Sequence, residues 1–148
     1  MKKSYIIVLA SALAFSTAAC SKKDDPTTNN STETTNLTAT INGGQQVPAN
    51  NSAATGTFVG AYTPSTKQLA YTVTYSPGFT PSVAHIHIGA PGVSGPVAIP
   101  FAQLTSPITG TVTLTAEQAD KLLTNSMYVN MHSSTFSNGE IRGDIKTK

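Results

Sequence analysis

The chain has 148 residues, nine basic against seven acidic side chains for a formal net charge of +2, and a single cysteine. One cysteine excludes an internal disulfide framework, and charged residues at 11% of the chain with no basic stripe exclude an electrostatic nucleic-acid binder. The length suffices for one hydrophobic core.

The chain opens with Lys2 and Lys3, an apolar stretch from Tyr5 to Phe15 and the small-residue run Ser16-Thr17-Ala18-Ala19, the layout of a secretory signal over residues 1–19. That stretch is shorter than the roughly 20 apolar residues a membrane-spanning helix needs. Cys20 comes next, an unpaired thiol in an exported and therefore oxidising setting. Together with Ala18-Ala19 the segment resembles a bacterial lipobox, although Thr17 stands where that pattern has an apolar residue. The resemblance implies that Cys20 becomes the diacylated N-terminus and ties the protein to a membrane, since several acyl chains on one residue anchor where a single chain binds only marginally. Residues 21–35 contain no apolar side chain able to offset the entropy of ordering, so residues 20–35 read as a lipidated cysteine and a disordered tether. Lys22-Lys23-Asp24-Asp25 is similar to the charged signals that route some lipoproteins to the cell surface, though simple solvation of a charge run also accounts for it. The expected location is the cell envelope, with the outer membrane the expected anchoring site and the remaining domain extracytoplasmic.

Residues 36–148 form the expected domain, in which Lys67, Lys121, Arg142, Lys146 and Lys148 face Glu117, Asp120, Glu140 and Asp144 for a net charge of +1. Several segments alternate apolar and polar residues with the period of half-buried strands: Leu37, Ala39 and Ile41 share one face, as do Leu69, Tyr71, Val73 and Tyr75. Asn42-Gly43-Gly44, Thr63-Pro64-Ser65-Thr66, Ser76-Pro77-Gly78 and Asn138-Gly139 supply turn chemistry between the runs. About eight strands at this spacing predict an all-β antiparallel sandwich or Greek-key barrel. One short helix is expected over Ala116 to Thr124, because Thr115 and Gln118 form a capping box ahead of Ala119, Leu122 and Leu123 on a single apolar face.

All three histidines fall in two strand-like segments. In Val83-Ala84-His85-Ile86-His87-Ile88 the small and apolar residues take the core parity, so His85 and His87 leave together from the other face, with Cβ atoms about 7 Å apart. In Met127-Tyr128-Val129-Asn130-Met131-His132, Val129 and Met131 suit the core and Tyr128, Asn130 and His132 the opposite face. The last strand sends Ile141, Gly143 and Ile145 inward and Glu140, Arg142, Asp144 and Lys146 outward. A turn at Asn138-Gly139 would pair these last two strands as a hairpin and bring His132 towards Glu140 and Arg142.

Five blocks in order resemble the CHRD domain, named for chordin: Ala84-His85-Ile86-His87-Ile88-Gly89, Gly92-Val93-Ser94-Gly95-Pro96-Val97, Leu114-Thr115 with Gln118-Ala119 and Leu122-Leu123, Tyr128-Val129-Asn130-Met131-His132, and Gly139-Glu140-Ile141-Arg142-Gly143. The resemblance covers nearly all of 36–148. It implies a fold like the immunoglobulin-like Greek-key sandwich of copper/zinc superoxide dismutase, where a His-x-His strand and a later histidine ligate copper. That maps onto His85, His87 and His132, and places Arg142 like the arginine that guides superoxide. The domain has no fourth histidine for a bridge or a zinc set, so the resemblance implies at most one ion, copper or zinc.

Two classes of function remain: a membrane-anchored binding or adhesion module for a protein or small ligand, in which Asn130, Glu140 and Arg142 are candidate contacts, and a mononuclear copper protein with redox activity. The histidines also suit a structural hydrogen-bond network. Fold analogy alone confers no activity, so no catalytic residue is assigned. No acid lies between Ile88 and Pro100 to complete a cupin-like ligand set, no Gly-x-Ser-x-Gly elbow occurs, and Gly89 to Pro96 lacks the lysine of a P-loop.

Overall fold

The computed structural model describes residues 33–148. The expected signal, Cys20 and the expected tether up to residue 32 lie outside the described residues, and Thr35, the last residue of that expected tether, already begins the first strand.

Nine antiparallel strands and one α-helix make up the domain: β1 Thr35–Asn42, β2 Thr55–Thr63, β3 Gln68–Tyr75, β4 Val83–Ile88, β5 Val97–Pro100, β6 Ile108–Thr113, α1 Ala116–Leu123, β7 Met127–His132, β8 Ile141–Asp144 and β9 Lys146–Thr147. Their order across the sheet is β5-β4-β7-β8-β1-β2-β3-β6, with β9 paired to β1. The β8–β1 junction is a single residue pair, Asn42 with Arg142. It divides the sheet into two halves whose apolar faces meet. Tyr71 of β3, near one end of the strand order, accordingly stacks on Phe101, which follows β5 at the other end, with ring centroids 5.1 Å apart. The result is the all-β, sandwich-like fold that the alternation predicts.

The core is built from the expected parity. Leu37, Ala39, Ile41, Leu69, Val73, Ala84, Ile86, Val129, Met131, Ile141 and Ile145 are all buried in one cluster. At the junction, a Cβ on Gly143 would lie 2.6 Å from the Thr40 carbonyl oxygen, so the missing side chain is what lets β1 close against β8. Gly139 adopts a φ of +117°, as the Asn138-Gly139 turn requires.

The helix ends one residue before the expected Thr124, which serves as its C-cap. Its capping box is complete: Gln118 N donates to Thr115 Oγ1 at 3.1 Å, and Thr115 N donates to Gln118 Oε1 at 2.9 Å. No helix among the described residues is long and apolar enough to cross a membrane.

One expectation needs correction. Arg142 has the outward parity of β8, yet its side chain is only 1% exposed. The charged face of that strand is covered because the segment between β4 and β5 folds over it, carrying carbonyl groups that a guanidinium can satisfy.

Candidate metal centre

Strand pairing sets the site. Across β4, β7 and β8, His85 faces Asn130, which faces Arg142; one row on, His87 faces Tyr128, which faces Asp144. Parity puts all of these, with His132, on the face away from the core. One nitrogen from each of the three imidazoles lies within 4.8 Å of the others. The His85 ring meets those of His87 and His132 edge to face, at centroid separations of 5.4 and 5.5 Å.

Hydrogen bonds fix the orientation of two rings. His87 Nδ1 donates to the Gly95 carbonyl at 2.9 Å, leaving Nε2 as the nitrogen with a free lone pair. His132 Nδ1 donates to the Ser137 carbonyl at 2.8 Å, which likewise leaves Nε2 unprotonated. That nitrogen accepts from Asn130 Nδ2 at 3.2 Å, and Asn130 Oδ1 accepts in turn from Gln46 Nε2. Among the described residues, the buried side-chain polar atoms without a hydrogen-bond partner are two, His85 Nδ1 and His87 Nε2. Buried polar atoms without a partner are uncommon, and here two stand in one imidazole cluster.

The electrostatics favour neutral rings. Burial, then the neighbouring His87 and His132, hold the His85 imidazolium pKa below its usual value. Burial also lowers that of His87, helped by His132 and Arg142 and opposed by the Gly95 carbonyl. Neutral imidazole is the ligating form.

A cover holds His87 in place. Tyr128 lies flat on His87, and Arg142 Cζ sits 3.6 Å above the Tyr128 ring centroid. The guanidinium donates to the carbonyls of Val93 and Ala90 and, through Nε and Nη2, to Asp144 Oδ1. Gly95 N donates to the Tyr128 hydroxyl at 3.1 Å. A Cβ on Gly95 would lie 1.8 Å from the Ile88 carbonyl oxygen, so this approach requires glycine. Arg142 is therefore a brace for the covering loop, separated from the imidazoles by a phenol ring, and it does not stand beside them as an anion guide.

Glu140 is placed elsewhere. Its carboxylate accepts from Ser52 Oγ at 2.6 Å and lines a groove of about 500 Å3 with Ser76, Phe79, Ser133 and Thr135. The structure brings His85, His87, His132 and Asn130 together, and it sets the carboxylate of Glu140, which the hairpin was expected to bring towards His132, against Ser52 instead. Sequence reasoning does not find Gln46 or the Gly95 and Ser137 carbonyls, because no local periodicity marks a glutamine 84 residues from the asparagine it supports.

A ligand set at about 2.0–2.1 Å from one ion needs nitrogens no more than about 4.2 Å apart. The three imidazole nitrogens, within 4.8 Å of one another, lie slightly outside that spacing. Nitrogen donors alone suit copper and zinc.

Comparison with known proteins gives one family: the model of the CHRD domain matches residues 37–145. No curated protein and no solved structure matches the chain.

Proposed function

Since the chain belongs to the CHRD-domain family, we propose that it is an extracytoplasmic binding module that holds one copper or zinc ion through His85, His87 and His132. The supporting observation is the pair of buried, partnerless nitrogens, His85 Nδ1 and His87 Nε2, next to a third imidazole. Gly95 and Ser137 set the tautomers, the Tyr128–Arg142 stack restricts the His87 ring, and burial lowers the pKa of His85 and His87. A bound copper ion would supply one-electron chemistry, and zinc would supply a structural clamp. The proposal includes anchoring through lipidated Cys20, supported by the residue pattern of the first twenty positions, and an outer-membrane location, supported by the charged run Lys22-Lys23-Asp24-Asp25.

A second reading, an adhesion or ligand-binding module without metal, draws on a separate observation. The groove beside Glu140 offers a half-buried carboxylate and several hydroxyls to a polar ligand.

Metal analysis and titration of the purified protein at neutral pH separate the two. The metal reading expects one copper or zinc ion per chain, lost in His87→Ala. Absence of uptake by the unaltered protein overturns it, and loss of superoxide on copper loading would add a redox activity.

A further inference from the structure

We propose that Asn130 is the residue that holds back the third ligand, so that the site offers two imidazoles freely and the third only in exchange for a hydrogen bond. The inference rests on the metal reading above and deepens it.

The three rings are not equivalent. His85 Nδ1 and His87 Nε2 have no partner, whereas His132 Nε2 accepts a hydrogen bond from Asn130. The direction of that bond follows from the chain of donors around it. His132 gives its Nδ1 proton to Ser137, so a neutral ring has only a lone pair at Nε2. Asn130 must then present its NH2 group to the ring, and its Oδ1 faces Gln46 Nε2. Gln46 is itself buried, at 7% exposure, and its amide nitrogen meets Asn130 Oδ1 in agreement with this sense. Asn130 and His132 are two residues apart on one face of β7, which places the amide beside the ring.

The lone pair bonded to Asn130 is the one His132 must turn to an ion. Ligation by His132 therefore breaks this hydrogen bond, and ligation by His85 and His87 breaks none. A filled-shell monovalent ion such as Cu(I) accepts two imidazoles, but Cu(II) and Zn(II) favour more donors. Asn130 accordingly weakens the divalent ions selectively and sets how strongly the site prefers one copper oxidation state over the other.

The test compares the unaltered protein with Asn130→Leu, which keeps the size of the side chain and removes its donor, and with Asn130→Ala. Probes are Cu(II), Zn(II) and, under reducing anaerobic conditions, Cu(I), each as the metal alone in competition with a chelator. The expected result is Cu(II) and Zn(II) affinity about threefold to tenfold higher in the variants, the worth of one neutral hydrogen bond, with Cu(I) affinity unchanged. A second measurement needs no variant. Nitrogen NMR of the metal-free protein should show His132 protonated at Nδ1 with a hydrogen-bonded Nε2, and Zn(II) should abolish the Asn130 side-chain coupling to it. Metal binding with equal divalent affinity in all three proteins, or zinc binding that leaves the Asn130–His132 bond intact, overturns the inference alone. Failure of the unaltered protein to bind any of the three ions overturns the metal reading and the inference with it.

Discussion

Tyr128 lies parallel to His87, the two ring planes 9° apart and their centroids separated by 4.8 Å. This contact joins the imidazole cluster to the buried cation Arg142 on the other face of the phenol. The site and the loop that covers it are therefore one packed unit, and changes in the cover should be felt at the ligands.

Arg142→Lys should destabilise the protein by about 2–4 kcal/mol. Lysine keeps the charge but lacks the planar fork that satisfies Asp144, Ala90 and Val93 together, and it leaves buried acceptors unpaired. Urea denaturation gives the stability loss, and amide exchange at Gly95 should accelerate as the loop loosens. A variant with unchanged stability and exchange would remove Arg142 from this role.

Tyr128→Phe keeps the stack and deletes the acceptor for Gly95 N, leaving that donor to find water. The expected cost is about 1–2 kcal/mol. Tyr128→Leu should additionally lower metal affinity, since it frees the His87 ring to rotate; equal affinities for the two variants would count against the stack as a positioning element.

Gly143→Ala places a methyl group 2.6 Å from the Thr40 carbonyl oxygen, a backbone atom that cannot step aside without separating β1 from β8. A loss of about 2 kcal/mol or more is expected, comparable to overpacking a core. Thermal melting measures it, and an unshifted transition would show that the junction is more open than described.

Acid should destabilise the metal-free domain. The imidazolium forms of His85 and His87 are disfavoured in the folded state, so the unfolded chain takes up these protons first as pH falls through about 6.5. Their contribution to stability is full above that value and is lost as pH falls through the lower folded-state pKa values. Urea midpoints measured with a chelator present should drop between about pH 7.5 and about pH 5.5, and the drop should shrink in His87→Gln.

Cys20→Ser should move the protein from membrane to soluble fractions after removal of the signal. Continued membrane association of that variant would sink the lipid anchor.

Strand parity and turn chemistry are local properties, and residues alone carried them. Ala84 and Ile86 pack inward, so His85 and His87 share the other face; Val129 and Met131 do the same for Asn130 and His132; Thr115 and Gln118 start the helix within one residue of its expected bounds. Each follows from a period of two or a capping geometry that spans a few residues. The long-range partners do not. Outward parity on β8 implied exposure for Arg142, but whether an outward side chain meets water depends on what folds over it, here a loop some fifty residues earlier whose carbonyls take the guanidinium. Gln46 reaches Asn130 only because β7, β8 and the turn after β1 come together in space. The sequence thus determined which face each histidine leaves from, through the alternation of the strand, and tertiary packing decided which of their nitrogens remain without a partner, because a hydrogen bond depends on distance in space and not on separation along the chain.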